Sequence, residues 1–471
     1  MSMHIPFDNS FAALPPGFYT RQEATPVAAP SLIAYNNALA RDLGLGAADD
    51  ATLAQIFSGN MLPDGADPLA QLYAGHQFGQ FNPQLGDGRA LLLGEVVTAE
   101  GRFDIQLKGS GPTPYSRMGD GRAWLGPVLR EYVVSEAMHA LGVPTTRALA
   151  AVRTGETVYR EGAMPGAILT RVASSHIRVG TFQIFAARGD KAALQTLLDH
   201  TLARHYPQAN GPEGLLAEVI KAQTELIAHW MALGFIHGVM NTDNCALSGE
   251  TIDYGPCAFM DAYASDMVFS SIDRMARYSY ANQADIIVWN MAQLATALIP
   301  LMPDSDAAIA SFTLQINAMG DAIRAAWLRR FAAKIGITNP VAEDAPLIRD
   351  LLSLMQTDGA DFTNTFRSLT EDAPRDQFTN RDAFDAWERR WKTRIETEAD
   401  PERTMRAANP VLIPRNHRIE QMIEAAVAGD DGPFHRLLAA CAAPYIDNPD
   451  HADLRRPPTA REIVPATFCG T

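Results

Sequence analysis

Cysteine is scarce in this chain, with four in 471 residues, at positions 245, 257, 441 and 469, and no C-x-x-C pair among them. That argues against a disulfide scaffold or a structural zinc site and fits a reducing compartment. Long apolar runs are missing too. None approaches the length of a membrane span, and the opening MSMHIPFDNSFAALPPGFYT has no basic stretch ahead of an apolar core, so a soluble, cytoplasmic protein is expected. Positive charge is in deficit, 39 Lys and Arg against 54 Asp and Glu, for a formal net charge of -15. Such a molecule repels phosphate backbones and anionic membranes as a whole, which disfavours extended nucleic-acid binding. No internal repeat, coiled coil or dimer seam is evident, and a monomer is the expectation.

What is present is an ordinary globular balance, 47% apolar and 20% charged residues, enough for one large core or two to three smaller ones. The cations are unevenly spread. Between Gly86 and Gly180 there are ten Arg and one Lys against nine acids, a local balance of +2. Residues 1–70 carry a short helical candidate at Ser31 to Leu43 and read as a segment wrapped outside the first lobe. RALLLGEVV and RFDIQLK then read as a β-hairpin, with Lys108 ending its second strand. VLREYVVSEAMHALG reads as a helix with Pro127 near its start and Gly142 as its stop. TTRALAAVR, ETVYRE and AILTRV are further β-type runs. Beyond about Gly180 the periodicity is helical in LLAEVIKAQTELIAHWMALGF, QADIIVWNMAQLATAL, DAAIASFTLQINAMGDAIRAAWLRRFAAKIG and APLIRDLLSLMQ. The charged stretch from DAFDAWERRWKTRI onward reads as a solvated helix face. The expected fold is α+β and two-lobed. A strand-rich lobe with one helix (1–180) precedes a larger helical lobe with a C-terminal extension (181–471), the plan of a protein-kinase-like fold.

The stretch HGVMNTDNCALSGETIDYG, 237–255, carries the chemistry. Asp243 and Asn244 are adjacent, and Asp253 opens an Asp-Tyr-Gly turn. In kinase-like phosphotransferases a loop aspartate accepts the proton of the attacking hydroxyl, while an asparagine and the aspartate of a D-F-G-type turn ligate the metal. Carboxylate and amide oxygens of this kind suit Mg2+ or Mn2+. Lys108, at a strand end before Gly-Ser-Gly-Pro, can reach phosphate oxygens. The string G-D-G-R occurs on both sides of it, at Gly86 to Arg89 and Gly119 to Arg122, which suggests a phosphate cradle. Arg171 and Arg178 flank VASSHI and add guanidinium forks. An acid on the first-lobe helix should orient the lysine, and a helical wheel favours Glu136 over Glu131 for that place. His237 and His76 read as structural. One departure stands out. Protein kinases separate the catalytic aspartate from the asparagine by five residues, whereas here the two are adjacent and no H-R-D loop is present.

YAGHQFGQFNPQLGDGRALLLGE, DIQLKGSGPTPYSRMGDGRAWLGPVLREYVVSEAMHALGVPTTRAL and HGVMNTDNCALSGETIDYGPCAFMD closely resemble the selenoprotein O family, also called the YdiU family. The likeness continues through NPVLIPRNHRIEQMIEAA and covers most of the chain. It implies a kinase-like enzyme that transfers AMP from ATP to Ser, Thr or Tyr hydroxyls of proteins and releases pyrophosphate, with UTP used in the same way by some members. It implies nucleotide contacts from Gly86, Gly88, Arg89, Lys108, Asp120, Gly121, Arg171 and Arg178, with Asp243 as proton acceptor and Asn244 and Asp253 as metal ligands. It also places the lysine-orienting acid at Glu131, against the wheel. Alternatives left open are γ-phosphate transfer, UMP transfer and a catalytically silent nucleotide-binding pseudokinase. Cys469 stands where some relatives have selenocysteine, and a family redox switch makes a disulfide there conceivable, with no partner identified in this sequence.

Overall fold

The computed structural model describes residues 3–371 and 373–468, so the expectations about Cys469 lie outside the described residues. The strands are β1 (Tyr19–Arg21), β2 (Ser31–Tyr35), β3 (Leu69–Gln71), β4 (Gly75–Gln77), β5 (Gln80–Asn82), β6 (Ala90–Thr98), β7 (Gly101–Lys108), β8 (Ala123–Trp124), β9 (Arg147–Tyr159), β10 (Ala163–Ala173), β11 (Phe235–Ile236) and β12 (Ala258–Phe259). Eight of them form one antiparallel sheet in the order β1-β3-β6-β7-β10-β9-β2, with β8 against β10. The predicted hairpin is β6–β7, closed by the pair Thr98 and Gly101, and Lys108 ends β7 opposite Ala90. On the other side of β7, β10 sets Leu169 opposite Lys108 and Arg171 opposite Gln106. Side chains alternate along a strand, so Lys108, Gln106, Asp104 and Arg171 share one face of the sheet. Leu107 and Ile105 point to the other face, into an apolar cluster with Leu91, Leu93, Leu149 and Ile168.

The helices begin with α1 (Asn37–Asp42), α2 (Asp50–Phe57) and α3 (Leu125–Ala140), and α3 packs on β9 and β10. They continue with α4 (Val179–Ala187), α5 (Lys191–His205), α6 (Gly211–Leu233), α7 (Gln283–Leu298), α8 (Ser305–Lys334) and α9 (Ala345–Asp358). Shorter helices follow as far as Arg455, and the result is a mixed α/β architecture. In the charged helix Arg381–Ile395, Phe384, Trp387 and Trp391 are buried while most of the charges face outward, as a solvated face requires.

Four readings need correction. The helical candidate Ser31 to Leu43 is a strand and then a helix. SLIAY joins the sheet edge, and Asn36 starts α1 by accepting the Leu39 N–H on its side chain. Residues 1–70 do more than wrap the surface: they supply β1, β2 and the start of β3, and Met3, Ile5, Leu53 and Phe57 enter the core. TTRALAAVR and ETVYRE are one strand, β9. Finally, one stretch does approach membrane length. Gln283–Leu301 is 19 residues with mean hydropathy 1.4, but α7 packs against α4, α6 and α8 and buries Ile286, Ile287, Met291, Leu294 and Leu298.

Candidate active site

The shared sheet face delivers Lys108 and Arg171 to the same point, where α3 presents Glu131. Lys108 Nζ lies 2.6 Å from Glu131 Oε2 and 3.1 Å from Asp253 Oδ1. Arg171 donates Nε and Nη2 to Glu131 Oε1 at 2.8 and 2.5 Å, and Nη2 also reaches Asp253 Oδ1 at 2.7 Å. Arg178, just before α4, donates Nη1 to Asp253 Oδ2 at 2.6 Å and to the Asp243 carbonyl at 2.7 Å. Its guanidinium sits over the Tyr73 ring, 4.7 Å from the centroid. Arg171 and Arg178 are 1% and 3% exposed, which rules out surface salt bridging for either.

Three cations therefore converge on two carboxylates. Burial pushes the Glu131 carboxyl up, but Arg171 and Lys108 outweigh it and hold the group below its ordinary range. The same contest at Asp253, with Arg178 added, ends well below the ordinary range, so the group stays ionised. The wheel's choice of Glu136 fails. Glu136 accepts from Arg147 at 2.8 Å and from Asn36 at 2.8 Å, away from Lys108. Twelve of the sixteen residues of α3 are buried, so the helix has no single apolar face for a wheel to find.

The loop of 237–257 is closed at its base by β11 pairing with β12. His237 is structural, as expected: its Nε2 donates to the Ile252 carbonyl at 2.8 Å and its ring stacks on Trp230. Asp243 follows in a short 3-10 turn, 8% exposed, with Oδ2 accepting from Gln77 Nε2 at 3.0 Å. Burial raises its carboxyl to about 6, where a base works near neutral pH. Asn244 Nδ2 donates to the Val239 carbonyl at 2.9 Å, which turns its Oδ1 the other way. Asp253 adopts φ 64°, a left-handed conformation that aspartate tolerates better than most residues. One amide oxygen and one carboxylate are the donor set of a hard cation shared with phosphates, so these residues fit Mg2+ or Mn2+. No cluster of three or more His, Cys, Asp or Glu suited to a metal occurs among the described residues.

A sequence model of the family described as "Protein adenylyltransferase SelO" matches residues 2–442. The chain belongs to the SelO family. It is accordingly an enzyme of the nucleotidyltransferase class. Similar curated relatives, each named "Protein nucleotidyltransferase YdiU", include those of Ruegeria sp. (65% identical, all of both chains covered), Jannaschia sp. (59%, 99% of both chains) and Rhodopseudomonas palustris strain BisB18 (55%, all of both chains).

In this SelO-family chain the two G-D-G-R strings fold onto one another through the segment between them. Thr113 Oγ1 donates to the Asp87 carbonyl at 2.7 Å, and Ser116 Oγ donates to the Gly88 carbonyl. The glycines are packing requirements as well as flexible backbone. A Cβ on Gly86 would meet the Tyr115 ring at 2.6 Å, and one on Gly121 the Gly111 backbone at 2.1 Å. The outer string is engaged elsewhere. Asp120 pairs with Arg160 at 2.8 Å, and Arg122 donates to the Thr25 and Pro26 carbonyls, both at 3.1 Å. Arg89 lies just before β6, next to Ala90, the partner of Lys108, and its carbonyl accepts the Gly109 N–H at 2.8 Å.

Sequence reasoning missed two residues. Asp87, inside the first string, is 2% exposed, accepts from Gln106 Nε2 at 3.2 Å and lies 3.8 Å from Arg178. Gln77, one residue after the histidine of YAGHQFGQF, touches Asp243 from a strand pair, β4–β5, too short for periodicity to reveal. In both cases the signal was a polar residue inside a glycine-bounded motif.

Proposed function

We propose that this chain transfers AMP from ATP to a Ser, Thr or Tyr hydroxyl of another protein, in the cleft of a kinase-like two-lobed fold, 1–180 over 181–471. The observation that carries this reading is the set of three cations held on Glu131 and Asp253 beside Asp243. Lys108 keeps 20% of its side chain exposed, so this set of cations is open to the phosphates of a nucleotide. The chain order, strand lysine, helix acid, loop Asp-Asn and Asp-Tyr-Gly, supports the kinase-like arrangement.

In this reading Asp243 takes the hydroxyl proton as the oxygen bonds to the α-phosphorus. The α–β bridging oxygen leaves with its electron pair as pyrophosphate. Lys108, Arg171 and Arg178 stabilise the charge that develops on it, and Glu131 fixes Lys108 and Arg171 in place. Gly86, Gly88, Arg89, Asp120 and Gly121 line the nucleotide's approach. Asn244 and Asp253 hold Mg2+ or Mn2+, which supplies charge neutralisation on the phosphates when bound. The protein works as a monomer on ATP, with UTP as the competing nucleotide.

Incubation with Mg2+ or Mn2+ and ATP labelled at the α- or the γ-position tests this. Protein-bound label from the α-position only is the expected result. Label from the γ-position only would make the protein a phosphotransferase, and binding without transfer would make it a silent regulator. Parallel incubation with α-labelled UTP ranks the two nucleotides.

A further inference from the structure

The β4–β5 hairpin reaches across to the loop that carries Asp243. The His76 N–H donates to Thr242 Oγ1 at 2.7 Å and the Phe78 N–H to Asn241 Oδ1 at 3.0 Å, so the hairpin is fastened on both sides of Gln77. Two residues flanking His76 face the Asp243 carboxylate, Gly75 and Gln77. Gly75 lies against Oδ1, where a Cβ would stand only 2.7 Å away. That oxygen is sealed from solvent and has no hydrogen-bond partner among the described residues. Gln77 donates Nε2 to the other oxygen, Oδ2, at 3.0 Å.

We infer that Gln77 is a positioning residue for the base. Oδ1 is shut in by Gly75, so Oδ2 is the oxygen that can meet an acceptor hydroxyl, and the Gln77 carboxamide fixes its direction. A carboxylate accepts through two lone pairs on each oxygen, so one bond from Gln77 leaves Oδ2 a second site for the incoming proton. A base must be held within hydrogen-bond reach of the proton it takes, and a displacement of about 1 Å costs on the order of 100-fold. The hairpin supplies that constraint from outside the loop, where adjacent Asp243 and Asn244 leave little room for an internal one. This inference rests on the assignment of Asp243 as base, but it holds for any transfer to a hydroxyl, of AMP or of phosphate.

The test uses the full-length protein, labelled ATP and casein as a Ser-, Thr- and Tyr-containing acceptor. Gln77→Met keeps the volume and removes the donor, while Gln77→Glu puts a second carboxylate against the first. The expected result is a kcat lower by about 10- to 100-fold in Gln77→Met and lower still in Gln77→Glu. ATP affinity by calorimetry should stay within about twofold and the thermal midpoint should stay close to that of the unaltered protein. A merely structural glutamine would lower the midpoint or the ATP affinity and leave kcat per folded molecule intact, and that result would overturn the inference. Asp243→Ala separates the two levels. If it keeps transferring label, the base assignment falls and the inference with it. If it is dead while Gln77→Met transfers at the unaltered rate, the inference alone falls.

Discussion

On one face of β7 the row Lys108, Gln106, Asp104 has a charged cluster at each end, and the two clusters differ in kind. At the Asp104 end, Arg204 donates to Asp104 Oδ1 at 2.5 Å and to Glu95 Oε2 at 2.9 Å, while His176 Nδ1 meets Asp104 Oδ2 at 2.8 Å. The side chains of Glu95, Asp104, His176 and Arg204 are between 0% and 4% exposed. Arg102 reaches Glu95 from the rim at 3.3 Å and pairs with exposed Asp8 at 2.9 Å. Burial holds the His176 imidazole below its ordinary range and adds no charge there. At the Lys108 end, Lys108, Arg171 and Arg178 face Glu131, Asp253 and, from 3.8 Å, Asp87, and Lys108 and Asp253 keep 20% and 22% of their side chains exposed. The same strand thus carries a sealed network and an open one. Sealed charges must be matched inside the protein, because water cannot do it. A cation at the open end can turn to solvent or to a ligand's phosphates.

Breaking the open cluster should give the largest effect. Asp253→Asn removes a proposed metal ligand and leaves Arg171 and Arg178 facing one acid fewer, and transfer of labelled AMP should fall by about 10^3-fold or more. Arg204→Met tests the sealed cluster. It strands two buried carboxylates and should cost about 3–5 kcal/mol in a denaturant titration, with kcat per folded molecule unchanged. An equal fall in kcat would show that the two ends are not independent. Glu131→Gln should lower transfer by about 100-fold through loss of lysine and arginine positioning. Glu136→Gln, which disturbs contacts to Arg147, Asn36 and the Ala148 N–H away from the site, should leave transfer within about twofold.

Lys334 extends the comparison to a charge with no acid at all. It is 2% exposed, its ammonium lies 4.3 Å from the Phe366 ring centroid, and burial lowers its pKa to about 7. Between about 7 and the ordinary 10.5 the unfolded chain binds a proton that the folded chain does not, so stability from this group rises with pH over that window. Lys334→Met should remove the slope, gaining on the order of 4 kcal/mol at pH 7 and below and almost nothing above pH 10.5. Thermal melts across that pH range would read it.

Much of the site was legible. Lys108 was placed at the end of a strand by the alternation in RFDIQLK, and Asp243, Asn244 and Asp253 stood out because carboxylates and amides at those intervals match a known chemistry. The long helices α7, α8 and α9 followed from apolar periodicity alone. The choice between Glu131 and Glu136 was not legible from pattern, because α3 is buried nearly all round and its charged residues are sorted by partners far away in sequence. Gln77 was invisible for a related reason. A three-residue strand has no period, and its target lies 166 positions further along the chain.

The sequence by itself determined the inventory: which residues can take a proton, hold a cation or grip a phosphate, and which runs become strand or helix. Local periodicity and side-chain chemistry are properties of neighbouring residues, so they can be read in order. Only the tertiary structure decided which cations meet which acids. It set Arg171 two pairs along from Lys108 on the adjacent strand, turned Arg178 onto Asp253, and laid Gln77 on Asp243. Those contacts are made by sheet register and by loops folding back, and they depend on residues far apart in the chain that burial forces to satisfy one another.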